Sequence, residues 1–125
     1  MWLMAKCAIL SCSTDRVLNL RSLYLAAFDH TKIPVNLPNI EEKITCIEVL
    51  DNKCMPTSLD CFIGTNFGNL YFLNRKWVTQ GLELILESKN EGPVNQLVSA
   101  FGLVVWSTKS YVRAIHFRYN RQKLC

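Results

Sequence analysis

One pattern, met three times, limits what this chain can fold into: a run of apolar residues, a polar turn, and a second apolar run. It occupies 8–20 (Ala8-Ile9-Leu10, then Val17-Leu18-Asn19-Leu20), 61–73 (Cys61-Phe62-Ile63, then Leu70-Tyr71-Phe72-Leu73) and 103–115 (Leu103-Val104-Val105-Trp106, then Tyr111-Val112-Arg113-Ala114-Ile115). A continuous apolar run suits a strand buried on both faces, an alternating one suits a half-buried strand, and Gly, Asn, Asp, Ser and Thr suit the reversal between them. Each copy is therefore expected to be a β-hairpin. In the middle copy Gly64 and Gly68 bracket the turn, where a missing Cβ permits positive φ or close approach of another strand.

Further strand-like runs flank the hairpins: Ile44–Leu50 before the second, Val94–Val98 before the third, and Leu82–Leu86 between them. The unit reads as strand, hairpin, outer strand, and units of about 40 to 45 residues with four short strands have the spacing of a β-propeller blade. The expectation is an all-β chain forming a partial WD40-like β-propeller of two to three blades of antiparallel strands. It is a single incomplete unit over 1–125, with blades near 1–40, 41–87 and 88–125. A β-sandwich of seven or eight short strands is the alternative. A helix over 15–28 fits less well, because Leu20, Leu23 and Tyr24 spread the apolar character around it. Loops are expected at 32–39, where Pro34 and Pro38 oppose pairing, at 51–58 around Pro56 as an insertion, and at 88–93. Propellers close with about four to eight blades, so the chain is expected to be a fragment or a short product.

Half of the 125 residues are apolar, enough for one modest core and too many for a disordered chain. The apolar runs are far shorter than the roughly 18 to 20 residues of a membrane-spanning helix. Lys6 interrupts the apolar opening Met1–Leu10 and no small-residue cleavage site follows, which argues against a secretory signal. The cysteines Cys7, Cys12, Cys46, Cys54, Cys61 and Cys125 are expected as reduced thiols, since a core of this size needs no disulfide staples.

Candidate chemistry is sparse. The cysteines lack the paired Cys-x2-Cys spacing of zinc sites and only His30 and His116 stand beside them, so no metal or other cofactor is expected. The chain has no Gly-x-Ser-x-Gly elbow, and Gly64–Gly68 lacks the Gly-Lys-Ser/Thr ending of a phosphate loop; an enzyme is not expected. Residues 1–91 hold nine Lys/Arg against ten Asp/Glu, while 92–125 hold five against none. Those five, Lys109, Arg113, Arg118, Arg121 and Lys123, interleave with Tyr111, Phe117 and Tyr119. They are candidate contacts for a partner or an anionic surface, and they support the alternative of a small basic nucleic-acid-binding β domain; a solvated tail is the plainer reading. Trp77 and Trp106 are read as core before they are read as exposed anchors.

The series Ile44-Thr45-Cys46-Ile47, Phe62-Ile63-Gly64-Thr65, Leu70-Tyr71-Phe72-Leu73-Asn74-Arg75-Lys76-Trp77, Glu91-Gly92-Pro93-Val94, Leu103-Val104-Val105-Trp106 and Val112-Arg113-Ala114-Ile115 resembles the N-terminal propeller of the vacuolar protein sorting-associated protein 41 family. The likeness covers about 44–125, with Gly64, Gly68, Trp77, Gly92 and Trp106 as turn and blade residues. It implies a subunit of the HOPS tethering complex, cytoplasmic and peripheral on late endosome, lysosome or vacuole membranes. Its implied partners are other tethering-complex subunits, small GTPases and the adaptor protein 3 coat. The Ile-Gly-Thr-x-x-Gly turn also occurs in citron-homology propellers. The chain departs from standard blades in lacking Gly-His and Trp-Asp signatures, and it ends before the α-solenoid and RING-like end of full-length family members.

Overall fold

The computed structural model describes residues 2–5, 8–12, 16–22, 30–55, 58–76, 79–88 and 91–117. These hold β1 (Trp2–Ala5), β2 (Ala8–Cys12), β3 (Val17–Ser22), β4 (His30–Pro34), β5 (Ile44–Met55), β6 (Ser58–Thr65), β7 (Leu70–Lys76), β8 (Thr79–Leu86), β9 (Gln96–Ala100), β10 (Leu103–Ser107) and β11 (Val112–His116), and no helix. The strands form three antiparallel sheets, in the orders β1-β2-β3-β4, β5-β6-β7-β8 and β9-β10-β11. The chain is all-β, with three sheets where a sandwich has two.

All three hairpins lie where the repeat places them, as β2–β3, β6–β7 and β10–β11. Other boundaries differ. The expected insertion at 51–58 is largely strand, because β5 runs on to Met55 with an irregular register between Val49 and Cys54. The expected loop at 32–39 begins only after Pro34, which ends β4 opposite Val17; β4 is an edge strand, where a missing N–H costs no ladder bond. Val94 and Asn95, expected in a strand, precede β9. Val17–Ser22 is strand where a helix was the weaker reading.

In the middle sheet, residues 59–65 of β6 and 70–73 of β7 are buried on both faces, while Leu84 of β8 is 45% exposed. Leu59, Cys61, Ile63, Tyr71 and Leu73 join one core with Leu18, Ile33, Val35 and Leu37 of the first sheet and the segment after it. Their neighbours in sequence, Phe62, Leu70 and Phe72, join a second core with Val94, Leu97, Val104, Trp106 and Phe117. Side chains alternate across a strand, so only a strand covered on both faces can use an unbroken run such as Cys61-Phe62-Ile63. Three phenylalanines centre the second core. The ring of Phe117 meets that of Phe62 edge-on at 4.8 Å and that of Phe72 at 4.9 Å, with Phe62 and Phe72 5.2 Å apart. Between the layers β5 contacts β1, β2 and β3 on one side and β9 on the other, so the first strands of successive sheets lie next to one another.

A bulge lets β5 serve both cores. Ile44 pairs with Thr65 and Cys46 with Gly64, so Thr45 is an extra residue against its partner strand. It shifts the alternation by one, and Ile44 and Ile47 share the first core while Cys46 faces the second.

The third sheet is covered on one face. Leu97, Val104 and Trp106 are buried, while Val98, Leu103 and Val112 are exposed. Phe101 and Gly102 form its two-residue β9–β10 turn with φ of +54° and +78°, the left-handed pair a tight hairpin demands. Glycine meets that demand freely, and phenylalanine does so at a cost of order 1 kcal/mol.

Truncating Phe62 to Ala removes a fully buried ring from the aromatic triad and is expected to destabilise the fold by about 3–5 kcal/mol. Val98→Lys, at a position 59% exposed, is expected to change stability by less than about 0.5 kcal/mol. Urea denaturation of the two variants checks both.

Candidate functional site

Hydrogen bonds gather four chain connections at one rim of the sheets. The β4–β5 connection turns at Asn39–Glu42, where Glu42 N–H donates to Asn39 C=O at 3.1 Å. The β6–β7 turn closes through Gly68 N–H to Thr65 C=O at 3.0 Å and Thr65 N–H to Asn69 C=O at 3.1 Å. Asn66 laces the two together: its side-chain oxygen accepts Lys43 N–H at 2.7 Å, its N–H donates to Lys43 C=O at 2.9 Å, and its amide donates to Glu41 C=O at 3.3 Å.

The β8–β9 connection is fastened to the same place. Val94 N–H donates to Thr65 C=O at 3.0 Å, and Val94 C=O accepts from Thr45 Oγ1 at 2.7 Å and from Cys46 Sγ at 3.1 Å. The bulged Thr45 thus supplies a hydroxyl at the seam between the second and third sheets. Burial pushes the Cys46 thiol up from its usual value, although Thr45 partly opposes the shift; it is a buried, protonated donor. Asn95 N–H donates to Ser107 C=O at 2.8 Å, and Thr108 N–H to Tyr111 C=O at 2.9 Å, which brings in the β10–β11 turn.

Beneath the rim lies a carboxylate with no exposed surface. Glu42 Oε2 accepts from Thr65 Oγ1 at 2.7 Å and Asn69 Nδ2 at 2.9 Å, and Tyr71 Oη lies 3.1 and 3.2 Å from its two oxygens. A buried carboxylate is tolerable only when donors replace its water, and these three come from one hairpin, β6–β7. Asn69 also accepts Ser88 N–H at 2.9 Å, extending the network to the β8–β9 connection. Burial first, and then the neighbouring Glu42 carboxylate, push the Tyr71 hydroxyl up to about 12. The sequence pattern did not single out Glu42, because nothing local separates it from the exposed Glu41 beside it.

The structure places the candidate residues in three groups. Gly64, Gly68 and Gly92 belong to the seam. A Cβ on Gly64 would lie 2.7 Å from Val94 Cβ, and one on Gly68, where φ is +86°, would lie 2.7 Å from Gly92 C=O. Gly92 has φ of +80° with open space around it. Trp106 is core, 2% exposed. Lys109 and Arg113 lie in and just after the β10–β11 turn. Arg113 Nε donates to Glu91 Oε1 at 3.2 Å, its Nη2 meets Glu91 Oε2, and its guanidinium carbon is 5.2 Å from the Tyr111 ring centre. The hydrogen bond from Arg113 holds the Glu91 carboxyl below the usual carboxylate range, and Glu91 in turn raises Arg113. Trp77, Arg118, Arg121 and Lys123 lie outside the described residues.

Elsewhere an open cleft of about 290 Å³ is lined by Phe72, Asn74, Gly81, Leu82 and Glu83. Asn74 Nδ2 donates there to the buried Asp60. Among the described residues no three His, Cys, Asp or Glu side chains gather as a metal site. The rim surface is mixed: Ile40 is 87% and Tyr111 54% exposed, with Glu41, Lys43 and Lys109 also exposed.

Two sets of variants test the seam and the buried carboxylate. Gly68→Ala is expected to lower the urea midpoint more than Gly92→Ala, because both residues have positive φ and only Gly68 also faces a carbonyl. For Tyr71 the unfolded hydroxyl titrates near 10 and the folded one near 12, so the folded state holds its proton more tightly. Stability from this group is whole below pH 10 and declines as pH rises through about 12. In Tyr71→Phe that alkaline decline is expected to be shallower, while stability at pH 7 falls by about 1–2 kcal/mol through loss of a donor to Glu42. Chemical denaturation at pH 7, 10 and 11 reads both effects.

Comparison of the chain with protein-family models, curated proteins and solved structures returned no match.

Proposed function

We propose that the three sheets are successive blades of a propeller-type array, and that the chain is a non-enzymatic protein–protein interaction module of the kind its resemblance to tethering-complex subunits implies. The observation that carries this reading is the rim: Glu42, Asn66 and Thr65 lock three connections together, Asn95 joins the β10–β11 turn to them, and the rim displays exposed apolar residues among charges. Protein interfaces place a few strong anchors within a polar rim, and a pre-ordered surface loses less entropy on binding. Ile40 of the β4–β5 connection and Tyr111 of the β10–β11 turn are the anchors in this reading, and the exposed charges Glu41, Lys43 and Lys109 neighbour them in sequence.

The meander order of every sheet and the adjacency of β1, β5 and β9 support the blade reading, since blades pack through neighbouring inner strands. The partners in this reading are other tethering-complex subunits, small GTPases and adaptor coat proteins at late endosome, lysosome or vacuole membranes. The nucleic-acid alternative draws less from the rim. Of the C-terminal basic series, Arg113 has its guanidinium engaged by Glu91 and Tyr111.

The test is binding of the purified chain, immobilised, to purified HOPS subunits and nucleotide-loaded small GTPases. Ile40→Lys and Tyr111→Ala are each expected to weaken binding about tenfold or more with unchanged melting curves. Arg113→Ala is expected to have a smaller effect on binding. If the rim variants bind as tightly as the wild type, or if the chain instead binds DNA or RNA with an affinity that collapses as salt rises, the reading is wrong.

A further inference from the structure

We draw no further inference here: the strongest candidate, the exposed aliphatic face of the third sheet around Val98, Leu103 and Val112 beside the fully exposed Phe101, carries nothing because nothing in the structure shows what covers it.

Discussion

The centres of β6 and β7 have no solvent face, and the rest of the architecture follows from that. At about 25 cal/mol per Å² of apolar surface removed from water, one face of β6 and β7 needs the first sheet and the other needs the third. Neither neighbour is interchangeable with the other. The first core is aliphatic with a tyrosine, while the second is built on three phenylalanines and a tryptophan. The β5 strand must contribute to both while bending toward each, and the extra residue Thr45 lets it do so.

The bulge also brings a threonine hydroxyl to the seam. The hydroxyl of Thr45 and the thiol of Cys46 both point at the carbonyl of Val94, so the third sheet is attached by hydrogen bonds as well as by packing. On the opposite flank Glu42 gathers three donors from the β6–β7 hairpin. An apolar residue there would leave those donors unpaired, whereas the carboxylate fixes which turn may sit above which strand. Buried polar groups can favour one arrangement over its competitors in this way.

The hairpins were legible in the sequence because burial on both faces leaves a continuous apolar run, and few other structures need one. Trp106 and Phe62 could be read as core for the same reason. The limits of the strands were less legible. Asp51–Met55 carries polar residues and precedes Pro56, yet β5 extends through it, since pairing with β6 outweighs local composition. Glu42 was invisible because its partners, Thr65, Asn69 and Tyr71, lie 23 to 29 residues away. The basic C-terminal segment looked like a single electrostatic feature. In the fold Arg113 is matched by Glu91, a partner that belongs to the previous connection and that charge counting along the chain assigns elsewhere.

Gly64 and Val94 meet where the second and third sheets touch, with no room for even one more methyl group between them. Their sizes are therefore not independent properties of two positions. A side chain gained at residue 64 can be accommodated only by volume surrendered at residue 94, so the pair behaves as a single steric character with two halves. Because the Cβ of Val94 is itself in the way, only a glycine at 94 would clear room for a Cβ at 64.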